Sequence, residues 1–92
     1  MNSTIWKYPL KVTDEQIINL PIGSEYLSVQ VQNGTPCLWA KVNPQENVII
    51  RVKIVTVGTG HPADHVNEYM QFLGTYQLFD GEFVGHVFVG GA

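Results

Sequence analysis

Charge is what this sequence has least of. Asp, Glu, Lys and Arg make up 14% of its 92 residues, against 45% hydrophobic, where about a quarter charged is usual. Five Lys and Arg stand against eight Asp and Glu, for a formal net charge of −3. That balance argues against a nucleic-acid duplex as partner, because duplex binders present a net basic surface. It still allows a small anion held by two or three local cations. The lone cysteine, Cys37, excludes an internal disulfide and suits a reducing compartment. No apolar run approaches the roughly 20 residues that span a bilayer, and no signal-peptide pattern opens the chain. The expectation is a single cytoplasmic domain over residues 1–92 with no membrane partner. A chain so apolar and so weakly charged either hides surface in a homo-oligomer or encloses a ligand, since monomers rarely leave large apolar patches open to water.

What is present is β-patterned sequence, centred on Val48 to Pro62 (VIIRVKIVTVGTGHP). Side chains alternate across a strand with period two. Val48, Ile50, Val52 and Ile54 therefore share an apolar face. Ile49, Arg51, Lys53, Val55 and Val57 share the other, which begins with two cations. Upstream, Ile5 to Leu10 reads as a short strand, with Pro9 suited to an edge or a strand end. Thr13 to Leu20 reads as a second strand, or as a helix capped by Thr13 and Gln16. Pro21 and Gly23 end that segment in either case.

The sharpest local signal is a hairpin. Tyr26 to Gln32 alternates strictly, Asn33-Gly34 is the preferred type I′ pair, and Thr35 to Val42 returns. The implied register sets Val31 opposite Pro36, Val29 opposite Leu38 and Leu27 opposite Ala40 on one apolar face. Gln32 with Thr35, Gln30 with Cys37 and Ser28 with Trp39 fall on the other. Trp39 thus lies on the polar side, covered there by a second layer or a partner subunit, or else free to act as a stacking platform. Ala63 to Tyr69 reads as a short helix with Pro62 at its first turn. A second hairpin folds about Asp80-Gly81, with Leu78 opposite Phe83, Tyr76 opposite Gly85, Gly74 opposite Val87 and Phe72 opposite Val89. An aromatic residue facing a glycine covers its bare backbone.

Together these patterns predict a mainly β fold, a small antiparallel β-sandwich or roll with one short helix. Its expected core is Leu27, Val29, Val31, Leu38, Ala40, Ile50, Val52, Ile54, Leu78, Phe83 and Val87.

The chain also resembles a family of short uncharacterised proteins, a domain of unknown function encoded mainly by tailed phages and prophages. The resemblance rests on TIWKYPL (Thr4–Leu10), LSVQVQNGTPCLWAKV (Leu27–Val42), GTGHP (Gly58–Pro62), LGTYQL (Leu73–Leu78) and GHVF (Gly85–Phe88). It departs from the pattern in extra length around MQFLG and in the glycine tail. It brings no catalytic residues. What it implies is a phage setting, in which short accessory proteins often act against host defences and some, of unrelated fold, are compact oligomers that sequester nucleotide immune signals, an analogy of setting and not of site.

Three kinds of chemistry are on offer. His61 and His65, with His86 and the carboxylates Asp64 and Glu68, raise a metal site. Structural zinc usually shows cysteine-rich spacing, however, and none is present. A hydrolase needs a nucleophile beside a base and an orienting acid, which no local grouping supplies. Gly58-Thr59-Gly60 follows a strand and can cradle an anion on backbone N–H groups, although a tight turn whose glycines take positive φ explains them better. The expectation is therefore a binding protein rather than an enzyme, without cofactor or metal. Its ligand would be a small anionic compound, a cyclic or linear nucleotide signal. Trp39 or Trp6 would stack on it, Arg51 and Lys53 would pair with its charge, and Gly58, Thr59, Gly60 and His61 would cradle phosphate. The alternative is a protein-interaction or structural module without a small ligand.

Overall fold

A computed structural model describes residues 2–91. Among these residues seven strands form two antiparallel sheets: β1 (Thr4–Pro9), β2 (Glu15–Pro21), β3 (Glu25–Gln32), β4 (Thr35–Val42), β5 (Ile49–Gly58), β6 (Gln71–Leu78) and β7 (Phe83–Gly91). The first sheet has the order β1-β4-β3 and the second β2-β5-β7-β6. Their inner faces meet in one core that includes Leu38, Ala40 and Val42 from the first and Leu20, Val52, Ile54, Val87 and Val89 from the second. The result is a sandwich with Cα extents of 42 × 30 × 15 Å. On one side the sheets approach closely through β3 and β6, where Gly74 stands against Val29.

The central strand follows its alternation. Val52 and Ile54 are buried in the core and Ile50 packs against it. Arg51 is exposed and Lys53 half-buried on the outer face. Of Thr13 to Leu20, the part from Glu15 onward forms strand, β2 pairing with β5 from Glu15 opposite Val55 to Pro21 opposite Ile49, and Thr13 and Asp14 form the bend before it. The capping-box partner Gln16 is used differently: its side-chain amide exchanges hydrogen bonds with the backbone of Lys11, at 3.0 and 2.8 Å.

Asn33 (φ 52°) and Gly34 (φ 81°) both take the positive φ that a type I′ turn requires. The register holds through Val31–Pro36, Val29–Leu38 and Ser28–Trp39, then breaks at a bulge between Tyr26 and Ser28. Tyr26, not Leu27, faces Ala40. Leu27 is therefore not a core residue; it points outward and is 42% exposed, while Tyr26 takes the inward place. Val31, also expected in the core, is 37% exposed near the turn end of β3.

No α-helix forms at Ala63 to Tyr69. Two successive turns replace it, closed by Val66 N to Ala63 O and Met70 N to Asn67 O. The Asn67 side chain accepts from Tyr69 N at 2.9 Å, a local bond that competes with helix. A segment of this length cannot offset the cost of helix nucleation unaided. In the second hairpin Leu78–Phe83, Tyr76–Gly85 and Gly74–Val87 pair as expected. A bulge between Phe72 and Gly74 sets Phe72 against Phe88 instead of Val89, their ring centroids 5.4 Å apart. The connection is a 3-10 turn, Phe79–Gly81, with Phe79, Asp80 and Gly81 all at positive φ.

Candidate functional site

The residues expected to bind a ligand fall in three places. Gly58, Thr59, Gly60 and His61 form one turn at the end of β5, closed by His61 N donating to Gly58 O at 3.0 Å. Gly60 holds φ 86°, which a type II turn needs at its third position. At Gly58 a Cβ would stand 3.0 Å from His61 Nδ1 and 3.4 Å from the Phe83 ring, so a larger residue there requires the exposed His61 ring to shift. Thr59 N already donates to Val84 O. Two of the N–H groups of an anion cradle are thus engaged. The turn borders a cleft of about 270 Å³ lined by Asp14, Thr56, Val57, Gly58, His61, Pro62 and His65. That lining holds a carboxylate and neither lysine nor arginine.

Arg51 and Lys53 occupy the outer face of the second sheet, opposite Asn19 and Ile17 of β2. Lys53 Nζ lies 3.5 Å from Glu15 Oε1. Five residues of extended strand, roughly 17 Å, separate Lys53 from Gly58, well beyond a lysine side chain's reach. The cations and the glycine turn are therefore separate features.

Trp39 lies on the outer face of the first sheet, on the far side of the sandwich from Arg51. Trp6 pairs with Ala40 and so faces inward from edge strand β1, 41% exposed. The two indoles are on opposite faces of one sheet. What Trp39 does have beside it is a pair of cations that the sequence reading passed over. Lys7 is its cross-strand partner on β1, and Lys41 follows it by two on β4, opposite both Ile5 and Glu25. Lys7 Nζ donates to Gln32 Oε1 at 2.7 Å. Because β4 lies between β1 and β3, that bond spans the strand on the face carrying Trp39 and buried Cys37.

Two shallow hollows mark this face. One, of about 330 Å³, is lined by Ile5, Leu27, Ser28, Gln30 and Trp39. The other, about 400 Å³, is lined by Ser3, Thr4, Ile5 and Lys41. They share Ile5. The β3 bulge creates the first of them, since it turns Leu27 out beside the indole. Lys41 was visible in the sequence, two residues along the strand from Trp39. Lys7 was not, because it reaches Trp39 only once β1 pairs with β4 across more than thirty residues.

Elsewhere, among the described residues no three or more His, Cys, Asp or Glu side chains come together to hold a metal ion. Among the described residues no helix is long and apolar enough to cross a membrane. Tyr76 and Thr56 place hydroxyls in the core that lack a hydrogen-bond partner. Burial raises the Tyr76 pKa.

Fold and face together define a small antiparallel β-sandwich with an aromatic platform flanked by lysines on one outer sheet. Along its whole length, residues 1–92, the chain matches a domain of unknown function (DUF7352), and it belongs to that family. No curated protein and no solved structure matches it.

Proposed function

We propose that this is a small binding protein, not an enzyme, that takes a small anionic ligand of nucleotide type on the outer face of its first sheet. One observation carries the reading: Trp39 sits half-buried beside a hollow of about 330 Å³, with Lys7 its cross-strand neighbour and Lys41 two residues along its own strand. An aromatic face offers stacking to any planar ring, and ammonium groups offer charge-assisted bonds to phosphate. The same pairing was expected of Trp39 with Arg51 and Lys53, but those lie on the opposite side of the sandwich.

The resemblance to tailed-phage and prophage proteins gives this binding a purpose, the sequestration of a nucleotide immune signal in the cytoplasm of an infected bacterial host. The hollows are open, so a homo-oligomer in which a second copy closes over the face suits tight sequestration. The test is calorimetry of the purified protein against cyclic and linear nucleotides, beside Trp39→Ala and Lys41→Ala. Binding by the parent that both substitutions weaken supports the reading; a parent that binds no nucleotide ends it.

A second reading, a protein-interaction module without small ligand, is favoured by the apolar side chains on the surface. Ile5, Ile49, Phe72 and Phe79 are each more than half exposed. In that case the melting temperature does not respond to a nucleotide pool, because only a ligand of the native state raises it.

A further inference from the structure

We propose that two copies of the chain join edge to edge through β1, antiparallel about a two-fold axis at Trp6, into one continuous sheet. This gives the expected homo-oligomer its interface and stands independently of the nucleotide reading.

The backbone of β1 shows which groups are free. Leu10 N donates to Pro36 O at 2.8 Å, which continues the β1–β4 register. In an antiparallel pair, hydrogen-bonded and non-hydrogen-bonded positions alternate. Thr4, Trp6 and Tyr8 therefore bond to β4, and Ile5, Lys7 and Pro9 aim their backbone groups at the open edge. Pro9 has no N–H to leave unpaired there, and it ends the strand. In the two sheets the outer strands are β1, β3, β2 and β6. β3 and β6 lie against each other, so the other open edge is that of β2. The same alternation, set by Thr56 N to Asp14 O and Ile22 N to Val48 O, puts Glu15, Ile17, Asn19 and Pro21 on it. A carboxylate at one end and a proline at the other guard that edge.

The side chains of β1 are uncovered as well. Ala40 is fully buried, yet its partner Trp6, beside it on the same inward face, is exposed. The second sheet thus covers β4 and stops short of β1. Ile5, on the outer face, is exposed too. An edge strand with apolar side chains on both faces is a template for another strand. Lysine is the usual guard against this, but Lys7 Nζ reaches back over β4 to Gln32, away from the edge.

The occupant that matches is a second β1. Only a register that sets odd-numbered residues opposite one another satisfies the free groups. Centring on Lys7 brings two lysines face to face and opposes Ile5 to a proline. Centring on Ile5 runs Lys7 onto Ser3, ahead of the strand. Centring on Trp6 pairs Ile5 with the partner's Lys7 and Lys7 with the partner's Ile5, so every free N–H and C=O of both residues finds a partner. Thr4 then meets the partner's Tyr8. The two indoles meet at the axis, where each covers the other. The contact is isologous and closes at the dimer. It sets the two Trp39 faces side by side and leaves both open.

The experiment is sedimentation velocity on the full chain, the parent beside Lys7→Pro and Trp6→Lys, with crosslinking of Trp6→Cys. Lys7→Pro removes a donor that the monomer leaves free. Trp6→Lys sets two cations at the axis and opens no core cavity, since Trp6 is exposed. The expected parent mass at micromolar concentration is twice 10.3 kDa. Both variants should sediment as monomers with the parent's circular dichroism. Mild oxidation should link Trp6→Cys into a dimer that reductant dissolves, because non-hydrogen-bonded partners stand about 4.5 Å apart at Cα, within disulfide reach. Cys37 is buried, so the parent should not crosslink, and neither should Ile5→Cys, which faces the partner's Lys7. A monomeric parent leaves the edge to a strand of another protein and overturns the proposal. So does a dimer that persists in Trp6→Lys, or a Trp6→Cys chain that fails to link. If Lys7→Pro unfolds, those two readouts decide.

Discussion

Thr59 Oγ1 stands 2.7 Å from His86 Nε2, and this contact ties the Gly58–His61 turn to the sheet. The other imidazole nitrogen, Nδ1, lies 3.0 Å from Thr75 Oγ1, so one ring links the turn after β5 to strand β6 across β7. Each hydroxyl can donate to a bare ring nitrogen or accept from a protonated one, so the clamp is satisfied by either tautomer. His86→Ala should cost about 1 kcal/mol for each hydrogen bond lost, as these bonds are exposed. The loss should be local. Amide hydrogen exchange should accelerate at Thr59 to His61 more than in the core strands, and uniform acceleration would show that the ring serves global packing instead.

Gly34→Val should destabilise the domain by roughly 1–3 kcal/mol, since a β-branched residue is strained at positive φ. No clash contributes, because a Cβ at this position meets nothing within 4 Å. The effect is purely conformational. Chemical denaturation gives the check: Gly34→Asn should recover most of the loss, as asparagine tolerates the left-handed region.

The same hairpin shows where sequence reasoning holds and where it stops. The Asn33-Gly34 turn fixes pairing over the nearest five residues of each strand, and the register from Gln32–Thr35 to Ser28–Trp39 was legible for that reason. Beyond it a single bulge exchanged Tyr26 for Leu27. Alternation cannot reveal this, since both residues are large enough to fill an inward position. The β1–β4 pairing was equally hidden, because hydrophobic pattern identifies strands but not their non-sequential neighbours. That pairing is what sets Lys7 beside Trp39. Arg51 and Lys53 were correctly assigned to the outer face of β5. Which sheet would carry Trp39 lay beyond the pattern of either strand.

Stability should fall at alkaline pH. Burial raises the pKa of Tyr8, Tyr26 and Tyr76 above the ordinary value of 10.0. Each folded-state pKa therefore exceeds the unfolded one. The stabilisation is fully present below about pH 10 and is lost as pH rises through the folded values, because the unfolded chain ionises first. Melting curves from pH 8 upward should be flat with respect to these groups until about pH 10 and then decline. Tyr76→Phe should soften that decline. At neutral pH it should cost little, since the hydroxyl it removes is buried without a hydrogen-bond partner.

The last prediction sets the two pairs of cations against each other. Lys7 and Lys41 share the Trp39 face, whereas Arg51 and Lys53 face away from the opposite sheet. Lys41→Ala should therefore reduce nucleotide affinity about tenfold, the worth of one charge-assisted contact. Lys7→Ala should reduce it less, because its Nζ is already held by Gln32. Arg51→Ala and Lys53→Ala should leave affinity unchanged, and breaking the Lys53–Glu15 pair should cost stability only slightly, as exposed pairs contribute about 0–1 kcal/mol. Glu25 provides a test of opposite sign. It stands directly across from Lys41, where its carboxylate opposes an incoming anion, so Glu25→Gln should strengthen binding. Titrations of the five variants at one ionic strength decide the matter. Loss of affinity in Arg51→Ala with none in Lys41→Ala would move the ligand to the second sheet.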